Sequence, residues 1–402
     1  MHRKRLHIAM VGIPAISHVI PSLEVVRELA RRGHRVTYAN DPRMEELVTG
    51  AGAELVPYTS TLPVDDHSWP EDPIAATELF LDDAQAVMPT VRAAYQDDRP
   101  DVFLYDIAGY PARVLAENWG VPAVQLSPTY VAWKGYEETV GAQVEALPGA
   151  KEYLARFDAW LAEQGVPLSS GDFAGRPRRA LALIPRPMQP YADTVDPDVV
   201  SFVGPCLGER AEQGAWSPPP GAEGKRVLLV SMGSAFTELP GFYRECVAAF
   251  GGLPDWHVVL QIGQKVRPEE LGGVPDNIEV HPWVPQLAVL RQASAFVTHA
   301  GMGGSSEGLV CGVPMIAVPQ FADQFSNADA LQAQGVARRI DTEDATAGVL
   351  RSALEELTSS PAVAARLAEI RGELESQGGV RVAADLIEAE AGAGADRPAG
   401  RG

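Results

Sequence analysis

A histidine, a glycine cluster, a glutamate and an acid–amide pair follow one another between Trp283 and Asn327, in WVPQLAVLRQASAFVTHAGMGGSSEGLVCGVPMIAVPQFADQFSN. Their order suits a nucleotide sugar. His299 and backbone amides would meet a diphosphate, Glu307 would accept from ribose hydroxyls, and Asp323-Gln324 would hold the hydroxyls of a sugar. No lysine or arginine lies between Gln292 and Ala337, so amide dipoles and His299 must carry the anion.

The element that positions these groups begins at Ser294–Thr298 (SAFVT), an apolar, β-branched run that fits a buried parallel strand. The spacing predicts a loop over His299–Ser306 and a short helix from Glu307, stopped by Gly312 and Pro314. A helix start with free N–H groups, beside glycines that let a ligand approach the backbone, suits phosphate. A second apolar strand, Val313–Val318, precedes Asp323-Gln324. Gly301, Gly303 and Gly304 do not complete G-x-G-x-x-G, which argues against a NAD site. Glycines also serve merely to bring a helix close to a strand, and a strand-end histidine can be a satisfied core group. It is the combination with Glu307 and Asp323-Gln324 that favours a ligand.

The base for such a reaction must come from elsewhere, and His18 is the candidate. It lies in the loop after a strand, Leu6–Ile13, just before a helix expected over Pro21–Arg32 and closed by Gly33. Open α/β sheets place ligands at the carboxyl ends of their strands. Asp106, at the end of VFLYD in the strand Val102–Ile107, reaches the same region and would orient the imidazole. A lone loop histidine is more often solvated, and Asp106 also fits a cap before Pro111; the donor site tips the balance to a catalytic pair.

The Trp283–Asn327 run resembles the donor signature of family-1 UDP-glycosyltransferases, and the whole chain is most similar to the macrolide-inactivating glycosyltransferases of antibiotic-producing bacteria. The resemblance implies a GT-B fold, two Rossmann-like doubly wound parallel-sheet domains facing each other across a cleft. It puts Trp283, Val284 and Gln286 at the base, His299 with Gly301, Gly303, Gly304 and Ser305 at the diphosphate, Glu307 at the ribose, and Asp323 and Gln324 at the sugar. Ser231, Gly233 and Ser234, after the strand Val227–Val230, resemble a further diphosphate element. Gly303-Gly304 stand where plant relatives carry Asn-Ser, which leaves only amides there. The loop reads S-H-V-I-P instead of G-H-x-N-P, which keeps the base but changes the loop.

The implied reaction is an inverting displacement with UDP-glucose as co-substrate, no cofactor and no metal. Asp196-Pro-Asp198, the one D-x-D, reads as a surface turn. Trp69, Phe80, Met88, Tyr130, Trp133 and Tyr136 are the aromatic and apolar candidates for the acceptor pocket, and LSPTYVAWKGYEE resembles the macrolide-transferase group, so the acceptor is expected to be a macrolide or similar hydrophobic compound. The outcome would be antibiotic inactivation. The alternatives are a TDP-deoxysugar transferase of antibiotic biosynthesis, a non-catalytic sugar-nucleotide-binding protein and, more remotely, a UDP-sugar epimerase.

The 402 residues, 46% of them apolar, suit two domains. The expected division is an acceptor domain over 1–205, a linker over 206–224 rich in glycine, proline and charge, a nucleotide-sugar domain over 225–378, a helix over 379–391 returning to the first domain, and a disordered tail over 392–402. The remaining strands are expected at His34–Ala39, Val121–Leu126, Trp256–Ile262 and Ile278–His281. A formal charge of −20 argues against nucleic acid or an anionic membrane surface as partner. No run approaches the roughly 18 apolar residues that span a bilayer, and MHRKR is followed by no signal peptide, so a cytoplasmic monomer or homodimer is expected. Cys206, Cys246 and Cys311 are widely spaced and point to neither disulfides nor a metal site.

Overall fold

The computed structural model describes residues 4–64, 69–208, 210, 213–233 and 237–395. The chain forms two compact units: Met1–Ile184 with Gln189–Cys206 and Gln377–Gly402, and Leu207–Ser376 with Pro185–Met188.

In the first unit seven parallel strands run β1 (His7–Val11), β2 (Arg35–Asn40), β3 (Glu54–Pro57), β4 (Val102–Tyr105), β5 (Ala123–Ser127), β6 (Ala180–Ala182) and β7 (Val200–Phe202). Their spatial order is β3-β2-β1-β4-β5-β6-β7, so the direction of winding reverses between β1 and β4. The second unit repeats the plan. It is built from β8 (Arg226–Ser231), β9 (Trp256–Gln261), β10 (Ile278–His281), β11 (Ala293–Thr298), β12 (Met315–Ala317) and β13 (Ala337–Arg339), ordered β10-β9-β8-β11-β12-β13, with the reversal between β8 and β11. The central strands read as continuous apolar runs because helices cover both of their faces: Val227–Val230 of β8 are buried without alternation.

Helix boundaries depart from the sequence reading in two places that matter. The first helix spans Ile16–Arg31, so Pro21 lies inside it and His18 sits in its first turn instead of in a loop. Proline is tolerated there because the one hydrogen bond it removes would have gone to Ser17, which is exposed. The second case is the helix Met302–Cys311, which begins five residues before Glu307, with extended Gly301 as its N-cap. The glycines thus form its first turn, where N–H groups have no intrahelical partner in any case. Gly312 ends this helix in the left-handed conformation at φ 69°.

The strands β3, β6, β7 and β13 escape the sequence reading. They have three or four residues each, too few for a periodic pattern, and β13 is Ala-Arg-Arg. Segment 207–224, expected to be a free linker, belongs to the second unit. Trp216 Nε1 donates to Glu279 Oε1 at 2.8 Å, and Ala222 is buried. Pro185–Met188, expected in the first domain, also belongs to the second unit, with Gln334 Nε2 donating to the Pro187 carbonyl at 2.9 Å.

The helix Gly379–Ala395 belongs to the first unit and packs on the helix that carries His18, burying Ala383, Ala384, Ile387 and Ala391 against Val25, Val26 and Leu29. Arg32 pairs with Asp385 at 2.6 Å, and His34 with Glu388 at 2.9 Å. Residues 392–395, expected to be disordered, continue this helix; 396–402 lie outside the described residues. Among the described residues no helix is long and apolar enough to cross a membrane.

Candidate active site

The two winding reversals carry the candidate residues. A doubly wound sheet opens a crevice where its order reverses, at the carboxyl ends of the strands. In the first unit β1 and β4 deliver the chain into exactly that region: His18 follows β1 and Asp106 follows β4. His18 Nδ1 lies 3.6 Å from Asp106 Oδ1. This is a close approach and not yet a hydrogen bond; pairs of this kind often tighten only when a substrate binds. Asp106 is 1% exposed, and its carboxylate is fixed by two backbone donors, Ile13 N–H to Oδ2 at 3.0 Å and Ala108 N–H to Oδ1 at 2.5 Å. Gly12 makes room for it, since a Cβ there would stand 2.8 Å from the Tyr38 hydroxyl and 3.2 Å from Asp106 Oδ2. With Nδ1 turned to Asp106, the other ring nitrogen of His18 is left for a substrate hydroxyl.

In the second unit β8 ends at Ser231 and β11 leads into His299. The His299 ring sits between two glycines: a Cβ on Gly233 would lie 2.7 Å from the ring, and one on Gly301 only 2.5 Å from Nε2. Gly233 also has φ 78°, a conformation glycine adopts without penalty. Among the described residues three buried polar atoms here lack a partner, Ser231 Oγ, His299 Nδ1 and Ser305 Oγ. They stand beside the first turn of the Met302–Cys311 helix, whose N–H groups up to Gly304 precede the first intrahelical bond, from Ser305 N–H to the Gly301 carbonyl. Unpaired donors at a helix start form an anion site. Burial lowers the pKa of His299 to about 4, against a smaller upward pull from the Ser231 backbone, so the ring is neutral at pH 7 and acts as a hydrogen-bond donor, not as a cation.

Glu307 is buried one turn further along the same helix. Gln286 Nε2 donates to its Oε2 at 2.7 Å, and Arg210 Nη1 donates to Oε1. The sequence reading missed Arg210, which lies in a glycine- and proline-rich stretch with no pattern to mark it; its φ of 48° is unusual for a side-chain-bearing residue. It also missed Gln261, which ends β9. Gln261 Nε2 donates to the Gly233 carbonyl at 2.9 Å and its Oε1 accepts from Val284 N–H at 3.0 Å, tying the loops after β8 and β10 together. A polar residue closing the apolar run WHVVL was the available signal. Val284 is therefore buried with its N–H already committed, while Trp283 is 51% exposed and offers a free face.

Asp323 is exposed at the start of the Gln324–Ala333 helix, and Asn327 Nδ2 donates to its Oδ2 at 3.0 Å. Gln324 is buried, with Oε1 accepting from Gln320 N–H at 2.8 Å and Phe321 N–H at 3.1 Å, so only its amide nitrogen is left for a ligand. Ala300 and Ala322, just before Gly301 and Asp323, hold φ of 61° and 51°. Such strained backbone collects at ligand sites. Ser234 lies outside the described residues.

The six acceptor candidates separate. Tyr130, Trp133 and Tyr136 line a cavity of about 690 Å³ in the first unit that reaches Ile107, next to Asp106. The Trp69 and Phe80 rings meet at a tilt with centroids 5.6 Å apart and pack with Ile13 and Ala108, whose N–H groups hold Asp106. Met88 is a correction: it is 3% exposed within the core between helices and sheet, where the helical spacing of Leu81, Ala84 and Met88 places it. The turn at Asp196 forms as read, with Oδ1 accepting from Asp198 N–H at 2.9 Å.

Two doubly wound sheets, one bearing a histidine–aspartate pair and the other a helix start with free N–H groups and a carboxylate behind it, define a GT-B glycosyltransferase. Residues 183–370 match the family described as UDP-glucoronosyl and UDP-glucosyl transferase. The chain is 57% identical over 391 residues to the oleandomycin glycosyltransferase of Streptomyces antibioticus, covering 96% of this chain and 90% of that protein. Among solved structures, the glycotransferase of kitacinnamycin matches with a TM-score of 0.89 at 54% identity, covering 96% of this chain and 99% of that one. The calicheamicin glycosyltransferase matches with a TM-score of 0.83 at 32% identity, covering 97% and 99%. The chain belongs to the family-1 UDP-glycosyltransferases and is a sugar-transferring enzyme.

Proposed function

We propose that the protein transfers glucose from UDP-glucose to a hydroxyl of a macrolide or similar hydrophobic natural product, with inversion, and thereby inactivates an antibiotic. The observation that carries the catalytic part is the His18–Asp106 pair, set at a winding reversal with its carboxylate locked by two backbone donors. His18 takes the proton of the acceptor hydroxyl while that oxygen bonds to the anomeric carbon and the bond from that carbon to the diphosphate oxygen breaks. Asp106 stabilises the imidazolium formed. The negative charge that grows on the departing UDP is received by the free amides at the Met302–Cys311 helix start and by the neutral His299 ring, preorganised donors of the kind that supply much of catalysis. Neither a metal nor a cofactor enters this scheme. Glu307 accepts from the ribose, Trp283 and Gln286 serve the base, and Asp323 with the Gln324 amide serve the hexose.

The macrolide acceptor is supported by the likeness to oleandomycin glycosyltransferase and by the aromatic cavity at Tyr130, Trp133 and Tyr136. Incubation with UDP-glucose and a macrolide panel, followed by mass spectrometry, should show addition of one hexose. Tight UDP binding with no transfer to any acceptor would overturn the proposal. Transfer only from TDP-deoxysugars would overturn the donor assignment.

A further inference from the structure

Four glutamines are buried among the described residues, and three of them engage their carboxamides, wholly or in part, in hydrogen bonds of the fold. Gln189 accepts from Val131 N–H and donates to the Val131 carbonyl, both at 3.0 Å. Gln261 ties the Gly233 and Val284 loops together, and Gln324 Oε1 accepts from Gln320 and Phe321 N–H. The fourth, Gln125, is 6% exposed; its side chain makes no hydrogen bond to another described residue, and its carboxamide is not among the fully shielded atoms that lack a partner. Its backbone is satisfied, with its N–H donating to the Arg179 carbonyl at 2.9 Å. Val124 and Leu126, its neighbours on β5, belong to the core on one face of the sheet, so alternation turns Gln125 to the other face. There it lines the cavity walled by Tyr130, Val131, Trp133, Tyr136 and Val200. Its register partner on β6 is Ala180, too small to fill the space beside it. Of the other polar members of the lining, Lys134, Arg176, Thr194 and Asp196 are exposed residues of the rim, and Thr129 is half-buried.

A carboxamide that faces a cavity without a protein partner keeps its donors and its acceptor available to whatever fills that cavity. We infer that Gln125 is a specificity-determining residue that hydrogen-bonds a ring oxygen of a polyketide acceptor, remote from the hydroxyl that reacts. The carboxamide donates and accepts, which suits a lactone carbonyl, a ketone or a ring hydroxyl in a pocket that is otherwise aromatic and aliphatic. The inference rests on the acceptor cavity of the proposed function, and it adds what that cavity selects.

The test is Gln125→Leu, close in volume and apolar, compared with wild type and with the conservative Gln125→Asn. KM and kcat are measured on a macrolide panel and on hydrophobic phenols that lack other ring oxygens, together with the UDP dissociation constant. Loss of one hydrogen bond to a buried group predicts a KM for macrolides raised roughly tenfold in Gln125→Leu. KM for the phenols, kcat and UDP affinity should stay within about twofold on the same reasoning, with partial recovery in Gln125→Asn. An unchanged macrolide-to-phenol KM ratio overturns the inference. Equal losses for both acceptor classes, or a lowered melting temperature in Gln125→Leu, assign Gln125 to the fold and overturn it too. A wild-type enzyme that glycosylates phenols with and without ring oxygens but no macrolide overturns the macrolide reading alone, because Gln125 is then judged on the ratio between those phenols. A wild type that accepts neither class overturns both.

Discussion

Glu307 offers the most quantitative test of the donor site. It is 4% exposed, and each carboxylate oxygen already receives one donor, Arg210 on Oε1 and Gln286 on Oε2. A carboxylate has about four acceptor positions, so two remain for the ribose 2′ and 3′ hydroxyls. Hydrogen bonds to a charged group contribute about 1.5–3 kcal/mol each. Allowing for non-additivity, Glu307→Gln should lose ~2–4 kcal/mol of UDP binding, roughly a 30- to 900-fold rise in Kd. Glutamine retains a neighbour for Gln286, whereas alanine would leave the Arg210 guanidinium unpaired and cost about 3–5 kcal/mol of stability in addition. Calorimetric titration with UDP and with 2′,3′-dideoxy-UDP isolates the interaction. Wild type should bind the dideoxy ligand weakly, and Glu307→Gln should bind both ligands alike. A Glu307→Gln protein that still prefers UDP over the dideoxy ligand as strongly as wild type does would refute the ribose assignment.

Three further outcomes follow from the same geometry. His299 is neutral because burial lowers its pKa from 6.5 to about 4, so the unfolded chain binds the extra proton first: stability falls as pH drops from about 6.5 towards 4, by at most ~3 kcal/mol from this residue. Denaturant titrations of wild type and His299→Gln across that range should show the variant losing less, and parallel slopes would contradict the buried neutral ring. Gly233→Ala puts a methyl group 2.7 Å from the His299 ring at φ 78°, so the variant should lose most of the preference for UDP over uridine, read by competition binding; a retained preference would show that the ring is not part of the diphosphate site. Asp106→Asn keeps the shape but removes the charge facing His18 Nδ1, and should lower kcat by about 10²-fold or more with UDP affinity unchanged.

Much of this site was legible because its chemistry is local in sequence. His299, Gly301, Glu307, Asp323 and Gln324 fall on two successive βα units, and apolar runs such as Phe296–Val297 mark the strands that aim them. His18 and Asp106 were legible one by one, each at the end of a strand; what joins them is the β1–β4 pairing, with Val11 opposite Tyr105. The reading failed where the physics was not local. Pro21 looked like a helix start because proline favours the first turn, yet the chain begins the helix at Ile16 and spends one hydrogen bond at an exposed residue. The glycines after His299 looked like loop because glycine is a poor helix former, but a first turn needs no intrahelical donors. Arg210 and Gln125 carry no sequence signal at all: one is defined by its partner Glu307, the other by lacking a partner in a cavity.

The central claim, that His18 is the base of a glycosyl transfer, is tested most directly by the transfer rate of His18→Ala measured beside its affinity for UDP. With UDP-glucose and a macrolide accepted by the wild type, the account predicts a kcat lowered about 10²- to 10⁴-fold and a UDP dissociation constant within about twofold of wild type, since His18 and the residues proposed to bind UDP belong to different units. Transfer by His18→Ala at a rate close to that of wild type would contradict it.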